Sequence, residues 1–205
     1  LSADAEWRAC GKIQYLLLET RAEFGQAEER NVAEVKSALS QIDTLNISLL
    51  EERVTKHDQL AVIEEIGSFV SPETKALLHP GTTSYDILDT ARSYLFKGAW
   101  FEVMRPEVAN AVRKLCAIAE GSREVTQTGR THLQDTSPIT FGLMISGYAA
   151  RLANRVSNLD GYFNDLRGKI SGIVGTGASI DAVIGAGNSI GFERMNLFLK
   201  NCKLL

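Results

Sequence analysis

The stretch Gly129–Gly142, GRTHLQDTSPITFG, places an arginine, hydroxyl groups, a histidine and a glutamine directly ahead of a proline. An imidazole in such company can hold and release a proton near neutrality, while hydroxyls and an amide can hold an oxyanion. A purely structural reading also exists. Asp135, Thr136 or Ser137 would be an N-cap and Pro138 would lie in the first helical turn. That reading leaves Arg130, Thr131, His132 and Gln134 unexplained. Two further polar clusters precede apolar-periodic runs, Thr55-Lys56-His57-Asp58 and His79-Pro80-Gly81-Thr82-Thr83-Ser84. His57 reads either as a surface residue in a first helical turn or as a proton-bearing group. Thr83 and Ser84 read either as caps or, with the free N–H groups of a helix start, as a cradle for a carboxylate or phosphate.

The elements that must position these clusters are helices. Trp7, Cys10, Ile13, Leu17 and Phe24 share one face, and Gly25 supplies a stop. Val32, Val35, Leu39, Ile42, Leu45 and Leu49 recur at three and four residues, which predicts one helix over Val32–Val54. Leu60, Ile63, Ile66 and Phe69 predict a third, and Ser71-Pro72 breaks it. A long pattern opens at Asp86 and runs to Gly121, with a kink expected at Pro106. Ile145, Tyr148, Leu152, Val156, Leu159, Phe163 and Leu166 predict a bundle helix of about thirty residues that wants partner helices. Arg151, Arg155 and Arg167 read as a solvated face. No strand pair is expected. The glycine-rich run from Gly172 to Gly191 fits neither standard phosphate-loop spacing and reads as a substrate-facing loop, followed by a short apolar tail from Phe192 to Leu205. The fold class is all-α, with an N-terminal helical domain over 1–85 and an incomplete central bundle over 86–205.

Composition narrows the function. The chain has 205 residues, of which 44% are hydrophobic and 23% charged, and its net charge of −3 leaves no electrostatic footprint for nucleic acid or an anionic membrane. Cys10, Cys116 and Cys202 show no metal or redox spacing and are expected as small core residues in a reducing cytoplasm. His57, His79 and His132 match no local metal motif, so neither metal nor cofactor is called for. No run is long enough to span a membrane, and the first residues, which lack a methionine, do not read as a signal peptide.

The segments KHD, HPGTTSYDILDTA and GRTHLQDTSPITFG, in this order, resemble the fumarase/aspartase superfamily, and most of all its adenylosuccinate lyases. The opening WRACGKIQYLLLETRAEFG and the later KISGIVGTGAS are similar too, so the resemblance spans Trp7 to Ser179. It implies elimination of fumarate from a succinyl-purine nucleotide in purine biosynthesis, by a cytoplasmic homotetramer with shared active sites. By the same resemblance His132 is the general acid and Thr131 helps hold the substrate. His57 orients the acid beside the leaving group or phosphate, and Asp58 fixes a neighbouring histidine ring. Lys56, Thr83, Ser84, Gln134, Thr176 and Ser179 bind substrate, and His79 is structural.

The sequence departs from the family in two respects. The family carries its base, a serine, on a GSS-x-MP-x-K-x-N loop, and these 205 residues contain no such segment. The family's N-terminal phosphate-binding pair is missing as well. The chain is therefore expected to be a fragment and to be inactive alone. The alternatives are another superfamily lyase, a carboxymuconate cycloisomerase, or a non-catalytic helical subunit. A nucleotide-binding α/β domain resting on the glycine-rich run is a further one.

Overall fold

The computed structural model describes residues 2–184 and 199–200. The glycine-rich run beyond Ile184 and most of the apolar tail lie outside them. Two compact units form, one of Leu1–Phe96 with the described residues from Leu166 onward, the other of Lys97–Asp165.

The first unit is helical. Helix α1 (Ala3–Glu23) starts where Ser2 accepts the Ala5 N–H at 3.2 Å and ends ahead of Gly25, whose φ of 71° suits a residue without Cβ. The single helix expected over Val32–Val54 is instead α2 (Glu29–Ala38), a turn, α3 (Thr44–Leu50) and a π-helical turn, Glu51–Thr55. Side-chain capping overrides the periodicity here: Asp43 accepts the Leu45 N–H at 2.9 Å and starts a new helix. The buried Glu65 carboxylate secures that start by accepting from Asp43 N at 2.8 Å and Asn46 Nδ2 at 2.5 Å. Leu45, part of the apparent stripe, faces solvent.

Helices α4 (Asp58–Gly67) and α5 (Pro72–Ala76) follow, the latter capped by Ser71 with Pro72 in its first turn. Cys10, Ile13, Val35, Ile47, Ile66 and Ile87 are buried in one core that these helices share with α6 (Ser84–Gly98). Helix α9 (Ala178–Ile184) follows in this unit, and Ile180 joins the same core, as does Leu199.

The second unit holds a π-helical turn, Ala99–Met104, then α7 (Arg105–Gly121), strands β1 (Thr126–Thr131) and β2 (Gln134–Thr140), and α8 (Phe141–Asn164). Pro106 cannot donate a backbone hydrogen bond, and the widened turn immediately before it carries the helical run across that gap. Trp100 stacks on Phe163 with centroids 5.0 Å apart, and its indole N–H reaches Asp160 at 2.9 Å. Arg105 holds the same carboxylate through Nε at 2.8 and 3.0 Å. The bundle helix is shorter than expected and ends before Leu166.

The antiparallel β1–β2 hairpin corrects the expectation of no strand pair, and it corrects the capping as well. The N-cap of α8 is Thr140, which accepts the Leu143 N–H at 3.1 Å, while Asp135, Thr136, Ser137 and Pro138 lie in β2. Cys116 is also a correction: Cys10 is buried, but Cys116 is exposed on α7, and Cys202 lies outside the described residues. Arg151 and Arg155 are solvent-facing, the former over the Tyr148 ring. The fold class remains all-α, with one small hairpin among the described residues.

Candidate active site

In the first unit, the turn His79-Pro80-Gly81-Thr82 closes through Thr82 N to the His79 carbonyl at 3.1 Å. Pro80 presets its backbone, and Gly81, with φ 81°, takes the position that excludes a Cβ. A Cβ there would also lie 3.2 Å from the Ser179 carbonyl. The Ser179 hydroxyl in turn donates to the Gly81 carbonyl at 2.8 Å, so the second loop sits directly on the first.

Asp86 ties these loops together. Its carboxylate is fully buried and accepts backbone N–H groups from Thr83 at 3.0 Å, Ser171 at 3.1 Å and Gly172 at 3.0 Å. The Lys169 ammonium lies 3.4 Å away. Thr90 adds a reciprocal pair, donating to the Lys169 carbonyl at 3.0 Å and accepting the Lys169 N–H at 2.9 Å. The hydroxyls of Thr83 and Ser84 are left half-buried at the start of the 15-residue α6, with no partner among the described residues. Thr176 lies on the second loop and accepts the Ala178 N–H at 3.4 Å.

His57 caps α4 with its ring. Nδ1 lies 3.3 Å from Leu60 N and 3.2 Å from Asp58 Oδ1. A bare Nδ1 can accept the first, and a protonated Nδ1 can donate to the second, so the two uses exclude each other. Asp58 also accepts the Gln59 N–H at 2.5 Å. Lys56 has φ 52° and turns its ammonium onto the Glu52 carbonyl. His79, in left-handed backbone at φ 70°, is pushed below its ordinary pKa by burial. The charge of His57 pushes the same way, while Asp86 and Asp58 oppose both.

In the second unit, Thr131 and Gln134 pair across the end of the hairpin, and His132 and Leu133 form its two-residue turn. Both turn residues have positive φ, 50° and 63°. That is the backbone of the tight turn whose twist suits a hairpin, normally filled by Asn and Gly. Non-glycine residues there store strain of order 1–3 kcal/mol each, and such strain concentrates at functional sites. The imidazole is exposed and Leu133 is 93% exposed. Arg130 faces Asp135 across the strands at 3.3 Å. Gly129 permits the bulge just before, since a Cβ would sit 2.7 Å from the Ser137 carbonyl.

Thus Thr83, Ser84 and Ser179 gather at one turn of the first unit, whose His79 feels the charges of His57 and Asp58, and Thr131, His132 and Gln134 gather at the tip of the hairpin in the other. Asp86 and Lys169 were not among the expected site residues. The only local signal was an acidic residue three positions after Thr83, as in a capping box.

A family model described as Lyase matches residues 6–188. Adenylosuccinate lyase of Methanothermobacter thermautotrophicus is 30% identical over 183 residues, covering 85% of this chain and 40% of that protein. Fumarate lyase from Mesorhizobium superposes with a TM-score of 0.86 at 22% identity, covering 99% of this chain and 46% of the other. The 3-carboxy-cis,cis-muconate lactonizing enzyme of Pseudomonas putida superposes at 0.85 and 20% identity, covering 97% and 45%. The chain spans about 40% of the length of the curated relatives it matches.

Proposed function

The chain belongs to the lyase family, within the fumarase/aspartase superfamily, and on that footing we propose that the whole protein is an adenylosuccinate lyase. It would eliminate fumarate from adenylosuccinate, giving AMP, and from the succinylated aminoimidazole carboxamide ribotide. The observation that carries this reading is His132, an exposed imidazole at the apex of a strained hairpin. Relatives at 26–30% identity that bear the adenylosuccinate lyase name support the choice of substrate.

The chemistry follows from the residue types. A base removes a proton from the carbon beside one succinyl carboxylate. The electron pair left there forms the fumarate double bond as the neighbouring C–N bond breaks. The departing nitrogen takes a proton from His132, so the products are fumarate and the amine. Thr131 and Gln134 flank the acid and hold the substrate. Thr83 and Ser84, whose hydroxyls have no partner among the described residues, bind a carboxylate whose charge grows in the transition state. Ser179 and Thr176 cover the same turn. His57, with Lys56 and Asp58, serves the leaving-group side. The family's serine-bearing base loop is not among these residues, so the 205-residue chain alone is expected to be inactive or nearly so.

Assembly completes the site. Helix α7 buries no residue fully, and Met104, Ile118, Leu143, Tyr148, Leu159 and Tyr162 of this unit are exposed. A groove of about 540 Å³, lined by residues that include Cys116, Ala119, Leu143 and Ala153, runs between α7 and α8. Long helices with open apolar seams are covered by further helices, here those of other copies in a cytoplasmic homotetramer. Residues 1–85 would form the outer domain and 86–205 would begin the bundle.

The test is an ultraviolet assay of the complete protein with adenylosuccinate, argininosuccinate and carboxymuconate as separate substrates. Turnover of adenylosuccinate, lost by about 10²–10⁴-fold in His132→Gln, is the expected result. Turnover of a different member of the panel, or near-normal rates in His132→Gln, would overturn the reading.

A further inference from the structure

Beneath the Thr82–Ser84 turn lies a buried polar chain that the proposed chemistry does not use. Gln14 on α1 is 1% exposed and Gln59 on α4 is 0% exposed. The Gln14 amide nitrogen donates to Gln59 Oε1 at 3.4 Å and meets His79 Nδ1 at 2.9 Å. The Thr82 hydroxyl donates to the His79 carbonyl at 2.7 Å and stands 3.1 Å from the same Nδ1. Two amide atoms, Gln14 Oε1 and Gln59 Nε2, are buried without a hydrogen-bond partner among the described residues. Apolar side chains of similar size would fill both positions without leaving polar atoms unmet. What the amides supply instead is a continuous set of bonds that ends on one imidazole.

The geometry points to Gln14, held by Gln59, as a positioning residue that fixes His79 with Nδ1 bare and the ring proton on Nε2. An Nδ1 that receives an amide N–H must present a lone pair, which leaves the single proton of a neutral ring on the other nitrogen. With Gln59 Oε1 facing it, the Gln14 amide nitrogen serves both neighbours, and turning the Gln14 amide alone would set its oxygen against Gln59 Oε1, acceptor facing acceptor. The ring then anchors Thr82, whose hydroxyl gives its one proton to the His79 carbonyl and can give it to the bare Nδ1 instead, and with Thr82 the adjoining Thr83 and Ser84. Burial favours the same uncharged ring, since it lowers the His79 pKa. This inference rests on the reading of that turn as substrate-binding for its consequence in catalysis, but not for the state of the ring.

Selective ¹⁵N-histidine labelling of the complete protein, with single histidine substitutions giving the assignments, reads the state of the His79 ring. At neutral pH the two-bond nitrogen–proton correlations of His79 are expected to show a bare Nδ1 and a protonated Nε2. Gln14→Glu places an acceptor against Nδ1 and is expected to move a proton onto it, a change that loss of packing alone would not produce. Gln14→Leu is expected to give a mixture of tautomers. In the complete protein, Gln14→Glu is expected to raise KM on the order of tenfold, about the worth of one hydrogen bond, with a smaller change in kcat. A protonated Nδ1 in the unsubstituted protein overturns the inference without any variant having to fold, as does an unchanged tautomer in Gln14→Glu. If no succinyl compound is turned over, the proposed activity falls, and the tautomer pattern still decides this point.

Discussion

The backbone N–H of Thr83 and the carboxylate of Asp86 meet at 3.0 Å, and the same carboxylate collects N–H groups from Ser171 and Gly172, 85 and 86 residues further on. One buried side chain therefore starts α6, presents Thr83 and Ser84, and anchors the loop that brings Ser179 onto Gly81.

Replacing that carboxylate strands its donors. Asp86→Ala leaves three backbone N–H groups without their acceptor and Lys169 without its counter-charge. Each buried donor left unmet typically costs about 1–3 kcal/mol, and a loss of several kcal/mol is expected in urea unfolding. Lys169→Met should lie within about 1 kcal/mol of the unsubstituted protein, because the ammonium is partly exposed and 3.4 Å away. Hydrogen exchange at Ser171 and Gly172 should rise sharply in the first variant and little in the second. Equal losses in both would contradict this account.

The hairpin turn offers the opposite sign. Leu133 has φ 63° and is 93% exposed, so it contributes little burial while holding a backbone that disfavours a Cβ. Leu133→Gly relieves about 1–2 kcal/mol of left-handed strain and gives back about 0.5–1 kcal/mol in unfolded-state entropy. A melting temperature unchanged or slightly raised is expected. A clear drop would mean that Leu133 is held by contacts this chain makes elsewhere.

That hairpin also shows why part of the site could not be read from residue order. Strands β1 and β2, TQTGRT and QDTSPIT, are polar on both faces, so no two-residue alternation marks them. Their turn carries His132 and Leu133 where asparagine and glycine usually signal a hairpin, and Pro138 imitates a helix start. Helix α1 was legible because Cys10, Ile13 and Leu17 meet a single core and keep the 3.6-residue period. The break between α2 and α3 was not, since Val35, Ile42 and Ile47 stay on one face of the core although the chain turns between them. His57, Thr83 and Ser84 announced themselves at helix starts. Asp86 did not, because three of its four partners come from residues 169–172, and residue order carries no distances of that kind.

His57 allows capping and chemistry to be separated. Its ring accepts the Leu60 N–H, a role that asparagine fills well. His57→Asn should therefore keep unfolding stability within about 0.5 kcal/mol, whereas His57→Ala should cost about 1 kcal/mol. If the imidazole also serves the leaving group, both variants of the complete protein lose kcat/KM alike. Full activity in His57→Asn would reduce His57 to a cap.

The cysteines differ in accessibility. Burial pushes the Cys10 thiol up to about 11, and it is fully enclosed, while Cys116 is exposed on α7. In a Cys202→Ser background, a thiol reagent at neutral pH should modify Cys116 at once and Cys10 only as fast as the first unit opens. If the proposed tetramer forms, Cys116 becomes protected in the assembled protein. Labelling of Cys116 that stays fast at every protein concentration would count against assembly across the α7–α8 groove.

Acid sensitivity follows from His79. Its pKa in the folded protein is lowered, chiefly by burial, below the 6.5 of an unperturbed histidine. Between those two values the unfolded chain binds a proton that the folded chain does not, so ν for the unfolded state is the larger and stability rises with pH. The contribution of the neutral ring is fully present above pH 6.5 and is lost as the pH falls toward the folded value. Urea midpoints measured across this window should fall on acidification, and His79→Gln should flatten that part of the profile, since its amide does not titrate. A slope that survives unchanged in His79→Gln would assign the acid sensitivity to other groups and remove the evidence that this imidazole is kept neutral by its surroundings.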